Sequence, residues 1–116
     1  MIIRKAEAHV VVSTDSHGGA GTIRCTEMLA DYTKDGPGFK YIHDNTLEPG
    51  ASIGEHTHHG DEELYIIISG RGTMKVDGVE HPVGPGDMCV TRDSHSHDLT
   101  ADSGSKMRML VVCTNL

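Results

Sequence analysis

Aromatic side chains are scarce in this chain: tryptophan is absent, phenylalanine occurs once and tyrosine three times. The interior must therefore be filled by Ile, Leu, Val and Met, which leaves space for polar groups inside. Positive charge is also in short supply. Ten Lys and Arg stand against 17 Asp and Glu, a formal net charge of -7, so a phosphate backbone or an anionic membrane surface is repelled rather than attracted. No stretch approaches the roughly 20 apolar residues needed to cross a bilayer. The opening MIIRKAEAHVVV has no apolar run of signal-peptide length and no small-residue cleavage site behind it. Cysteine occurs only at Cys25, Cys89 and Cys113, without CxxC spacing and in a number that cannot fully pair, which fits reduced, buried thiols. A soluble cytoplasmic protein with no nucleic-acid or membrane partner is the expectation. Missing as well are a G-x-S-x-G elbow, a Walker loop and a dinucleotide fingerprint; GGAG at 18–21 lacks the strand and helix that a phosphate cradle needs.

Glycine, by contrast, is plentiful, with 14 residues that punctuate the chain at HGGAG, DGPG, EPG, SGRG, VDGV and GPGD. The intervals suit short strands joined by turns. Asp77-Gly78 is the strongest hairpin signal, because both residues tolerate the positive φ of a two-residue turn. Between the turns lie KYIHDNTL, ELYIIIS, GTMKV, DMCVT and KMRMLVVCT, the last alternating so that Met107, Met109, Val111 and Cys113 share a face. Only 24–34, RCTEMLADYTK, can be read as a short helix, and it lacks a cap and a convincing period. At 116 residues the chain is expected to form one domain. Some eight to ten short strands predict an all-β class closed as a sandwich or barrel.

The densest chemistry lies in GASIGEHTHHGDEELYIIISGRG. His56 and His58, two residues apart on a strand, point the same way and suit adjacent positions on one metal. Glu63 is five residues beyond His58 and would face away on an unbroken strand. The turn signal His59-Gly60-Asp61 restarts the parity and lets Glu63 point back. An isolated HxH is more often polar surface, but the string Gly50, His56, His58, Glu63, Gly70 is specific.

That string resembles the first motif of the cupins, and residues 78–97, GVEHPVGPGDMCVTRDSHSH, resemble the second. The second motif carries a glycine-aspartate turn, a strand, a loop and a histidine, matched by Gly86-Asp87, Met88–Thr91, Arg92–Ser96 and His97. Arg92 and Ala101 depart from the pattern, which makes His95 a rival to His97; spacing from Gly86-Asp87 favours His97. The resemblance implies a double-stranded β-helix, the jelly-roll barrel of the cupins, over about 39–112, with 1–38 as N-terminal strands and loop. It also implies one divalent transition metal held by His56, His58, Glu63 and His97. Three imidazoles and a carboxylate suit Mn, Fe, Co, Ni or Zn and leave open positions.

If Leu47 is a core residue, Asn45, His43 and Tyr41 share its face and line the interior; the opposite register puts them outside. Tyr65 shares the face of Glu63. Arg24 can receive an anion at the barrel mouth or stand in solvent. The expected pocket residues are Tyr41, His43, Tyr65 and Arg24, while His9, His17 and His81 are expected on the surface. The small cupins described as oxalate-decarboxylase-like are similar overall. The function expected is action on, or binding of, a small carboxylate, keto acid or sugar acid, as a decarboxylase, isomerase or iron-dependent dioxygenase, or as a metal-dependent sensor without turnover. Apolar Ile2-Ile3 and Val10–Val12 point to a homodimer.

Overall fold

The computed structural model describes residues 1–33 and 35–116. Among the described residues the regular structure is ten strands and two single turns of 3-10 helix, at Lys5–Glu7 and Ser16–Gly18. The strands are β1 (His9–Thr14), β2 (Thr22–Ala30), β3 (Gly38–Leu47), β4 (Ser52–Thr57), β5 (Asp61–Ser69), β6 (Gly72–Val76), β7 (Val79–Val83), β8 (Met88–Thr91), β9 (Ser96–Ala101) and β10 (Met107–Asn115). Two antiparallel sheets result, one ordered β1-β2-β3-β10-β5-β8 and the other β4-β9-β6-β7. The strand count called for an all-β sandwich or barrel, and the two sheets take the jelly-roll form that the cupin resemblance implies. The stretch 24–34 is strand through Ala30 and not helix; Lys34, its last residue, lies outside the described residues. Ile23, Cys25 and Glu27 turn one face of β2 toward the cavity, and pairing with β1 and β3 overrides a marginal helical pattern.

Strand parity decides what reaches the interior. Along β10, Met107, Met109, Val111 and Cys113 are buried while their neighbours are not. Leu47 and Ile67 beside them in the same sheet, and Met74 and Leu99 from the other sheet, are almost wholly removed from solvent and complete the apolar core. The hairpin between β6 and β7 closes on two residues, Asp77 (φ 48°) and Gly78 (φ 82°), with Val76 opposite Val79. Both positive angles are those of the turn whose twist matches the flanking strands.

On the outer face of the larger sheet, Asp44 is buried under a fork from Arg108, whose Nε and Nη2 donate to its two carboxylate oxygens at 3.0 and 2.8 Å, and Lys5 Nζ donates at 2.8 Å. This clamp ties the first 3-10 turn to β3 and β10. On the opposite side, the Ser16–Gly18 turn lies directly on β4. A side chain at Gly54 would run into the carbonyl of His17 and the amide of Gly19, and one at Gly19 into the carbonyl of Ser52. Backbone meets backbone here, and only glycine leaves room.

Two outcomes follow from these contacts. Arg108→Ala leaves a buried carboxylate with one cation, and is expected to cost about 1–2 kcal/mol at neutral pH, reduced from the buried-pair range because the guanidinium is partly exposed. The Arg108 hydrogen bonds hold the Asp44 carboxyl below its ordinary value of 3.8. A depressed carboxyl contributes stability above its unfolded value and loses it as pH falls through its folded value, so the gap between the two proteins should narrow as pH drops below the ordinary carboxylate range in urea titrations. Gly54→Ala meets backbone that cannot step aside and should lose roughly 2–3 kcal/mol. Gly86→Ala, at φ 88° with open space around it, should lose only about 1 kcal/mol of left-handed strain, and denaturant midpoints separate the two.

Candidate metal centre

His56 is the last residue but one of β4, His58 follows the strand, Glu63 lies in β5 and His97 in β9. The strand pairing sets His56 directly opposite His97. Between Ile53 and His56 the register slips by one residue, so odd-numbered Ile53 and even-numbered His56 both face the cavity. The bulge is what turns the imidazole inward. Gly60, at φ 74°, then reverses the chain, and β5 begins with Asp61 and Glu63 both pointing in and buried.

Each imidazole is held through its Nδ1 atom. His56 Nδ1 donates to the Gly54 carbonyl at 2.8 Å, and His58 Nδ1 donates to Asp61 Oδ1 at 2.8 Å. His97 Nδ1 lies 2.7 Å from Thr91 Oγ1, which can accept its proton. A carbonyl and a carboxylate only accept, so the tautomers of His56 and His58 are set, with lone pairs on Nε2. Those Nε2 atoms converge. His97 Nε2 is 2.9 Å from that of His56 and 3.1 Å from that of His58, and Glu63 Oε1 is 3.2 Å from the Nε2 atoms of His58 and His97. All four donor atoms lie within 4.8 Å of one another.

Lone pairs facing one another at such distances repel, and Glu63 Oε1 is buried with no hydrogen-bond partner. A cation relieves both problems at once. Adjacent donors on an octahedral ion with bonds of roughly 2.1 Å stand about 3 Å apart, which matches the spacing, and the mix of imidazole and carboxylate suits a divalent transition metal. The residues therefore fit the metal that the sequence motif implies.

The electrostatics favour an ionised Glu63 and a neutral His56, and they favour on His58 a proton that an arriving ion would displace. Burial pushes the Glu63 carboxyl up, but His58, His97 and a hydrogen bond donated by Tyr41 outweigh it and hold the group well below the usual carboxylate range. Burial lowers the His56 imidazole, favouring its neutral form. The Glu63 carboxylate, with Asp61 on the other side, raises His58 against burial. Asp61 is itself anchored by Lys40 at 2.9 Å. His58, Asp61 and Cys113 form a second close group, but it shares His58 and serves to orient that ring.

Beside the cluster opens a cavity of about 400 Å³. Tyr41, His43, Asn45 and Tyr65 all line it, so β3 adopts the interior register of the two left open by sequence. Tyr41 stacks on His43 with centroids 4.5 Å apart, and Tyr32 reaches His43 Nε2 at 3.1 Å. Arg24 is not there. Its neighbour Ile23 takes the inward position on β2, so Arg24 is exposed on the outer face opposite Val12, in a shallow hollow with Lys5, Asp44 and Thr46. His95 is also exposed and pairs with Asp77 at 2.5 Å, whereas His97 is buried at the cluster.

Three contributors escaped sequence reasoning. His17, expected as plain surface, is exposed but stacks on His56 with centroids 4.1 Å apart and rings 14° from parallel. Nothing in its own neighbourhood signals this, because the contact depends on the Gly54 and Gly19 backbone packing. Asp61 was visible only as a turn residue, and Thr91 only as a strand end. Orienting groups leave no spacing rule.

The Cupin domain family matches residues 44–113. An oxalate-binding protein of Thermotoga maritima is 27% identical over 112 residues, covering 97% of this chain and 92% of that protein. A crystal structure from the same organism, described as a predicted oxalate decarboxylase, superposes with a TM-score of 0.87 at 27% identity and covers 100% of both chains. An L-ectoine synthase of Mycolicibacterium gilvum is 34% identical over 87 residues, which are 73% of this chain and 62% of that protein. With the family match spanning more than half of the chain, over two antiparallel sheets that enclose a buried cluster of three histidines and a glutamate, this protein belongs to the cupin domain family.

Proposed function

We propose that this protein binds one divalent transition metal through His56, His58, Glu63 and His97 and uses it to take a small carboxylate into the barrel. The observation that carries the reading is the convergence of three Nε2 atoms, each ring anchored through Nδ1, on a buried carboxylate oxygen that has no hydrogen-bond partner. The similarity to an oxalate-binding protein supports an anionic ligand. Residues 1–116 act together in this reading, since Ser16, His17 and Glu27 from the first 38 residues line the same cavity as Tyr41 and Tyr65.

When bound, the ion supplies a Lewis-acid site for carboxylate oxygens. The formal charge of -7 opposes an anion at long range, but ordinary salt screens that field over roughly 8 Å. At contact, a divalent ion beside one carboxylate leaves about one positive charge. Local charge wins. Tyr41 donates to Glu63 and keeps it oriented, Asp61 and Thr91 hold their histidines, and the Tyr65 hydroxyl stands 3.5 Å from His97 Nε2. Apart from its ligand Glu63, the cavity has one acid, Glu27, and it hydrogen-bonds His9. That weighs toward a binding or sensing role over decarboxylation, which needs a proton donor near the bound carboxylate. Manganese suits an oxygen-rich anion but shares the site's preference with Fe, Co, Ni and Zn.

A second copy of the chain is the partner proposed for β1. This strand is the edge of the larger sheet, and Val10, Val12, Ile2 and Ile3 are exposed on or beside it. An apolar strand edge of this kind pairs readily across a twofold axis.

Metal analysis tests the first reading. His58→Ala and His97→Ala should each cut bound metal by at least about tenfold, since even partners one bond further out are worth that much, while exposed His95→Ala should retain it. The reverse result for the two late histidines would overturn the ligand assignment. In calorimetry, oxalate should bind the metal-loaded protein and lose at least about tenfold in affinity on metal removal; equal affinity for both forms defeats the model. Light scattering at micromolar concentration should report twice the mass of one chain, and a monomer would remove the dimer.

A further inference from the structure

The cavity is far larger than a two-carbon acid needs, and its inner wall is ordered in layers along the strands. Tyr41 and Glu63 flank Cys113 in the layer of the metal cluster; His43 and Tyr65 flank Val111 in the next; Asn45 and Ile67 flank Met109 in the third. Asn45 is 8% exposed, lines the cavity, and its Oδ1 has no hydrogen-bond partner. A buried amide oxygen left unpaired is costly, and the strand partners of Asn45 are Cys25 and Met109. Oδ1 is shut off from water, so a ligand pairs with this amide by turning it toward the cavity that Asn45 lines.

The chemistry of that ligand follows from the walls. Ser13 and Ser16 add hydroxyls on the β1 side, and Glu27 adds a carboxylate from β2. Lys40 is engaged by Asp61, and Arg24 points outward. Among the described residues, no unpaired cation lines this end, so a second carboxylate would find no partner and would face Glu27. Neutral hydroxyl or amide groups, in contrast, meet donors and acceptors on several sides.

Resting on the carboxylate reading above, we infer that the ligand is a monocarboxylic acid with a hydroxylated tail, its carboxylate end at the metal cluster and its tail against Asn45, which determines specificity. Two residue pairs separate the layers of Glu63 and Asn45, roughly 13 Å at the backbone.

Calorimetry on the metal-loaded protein tests this with glycolate, gluconate and succinate. Glycolate carries the α-hydroxy acid end alone, gluconate adds a hydroxylated tail, and succinate puts a carboxylate there. Gluconate should bind about tenfold more tightly than glycolate, and succinate no more tightly than glycolate. In Asn45→Leu the gluconate preference should collapse toward parity, while the urea midpoint of the metal-free protein holds or rises as an unpaired buried amide is removed. Asn45→Ala repeats the test with a smaller side chain should leucine not fit. Gluconate binding no better than glycolate in the unmodified protein, or an undiminished preference in both variants, would overturn the proposal. If none of the acids, oxalate included, binds the metal-loaded protein, it is the carboxylate reading itself that falls.

Discussion

The hydrogen bonds that His56, His58 and His97 make through Nδ1 are the interactions on which the centre of this protein depends. Each leaves the ring one free nitrogen and directs it to the same point. A ring free to rotate would satisfy Nε2 with the nearest donor and disperse the cluster. The three anchors differ in kind, being a backbone carbonyl, a carboxylate and a hydroxyl. They come from β4, β5 and β8, so both sheets must close before all three are in place.

Closure in turn depends on small departures from regular strand geometry. The bulge between Ile53 and His56 exchanges the faces of β4 just before the ligands, and Gly60 at φ 74° returns the chain into β5. A second irregularity, between Cys113 and Thr114 on β10, skips Lys40 in the pairing with β3 and accompanies its inward reach to Asp61. A perfectly regular sheet would present Ile53 and turn His56 to solvent. The irregular positions are therefore where the cavity acquires its polarity.

That polarity is distributed unevenly. Imidazole, phenol and carboxylate groups gather at the cluster, and the floor is aliphatic, with Leu47, Ile67, Met74 and Leu99. Beside them stands Asn45, whose buried Oδ1 has no hydrogen-bond partner. The scarcity of aromatic residues noted at the outset has a structural counterpart here. All three tyrosines, Tyr32, Tyr41 and Tyr65, line the cavity, and aliphatic side chains supply most of the packing elsewhere.

Residue order alone determined the β class, the Asp77-Gly78 hairpin, the buried face of β10 and the pairing of His56, His58 and Glu63 around a turn, because period-2 alternation and glycine turns are local properties of a chain. Parity also placed Tyr41, His43, Asn45 and Tyr65 on one surface, though not which side of the sheet that surface would be. Tertiary structure decided the rest. It turned β3 inward, placed His97 and not His95 beside His56, His58 and Glu63, put Arg24 outside, and laid His17 on His56 through a glycine contact between segments 37 residues apart in the chain, from 17 to 54. The anchors Asp61 and Thr91 belong to the same class. Each of these depends on which strands become neighbours, and that is set by the burial of whole sheet faces, a property that no local spacing carries.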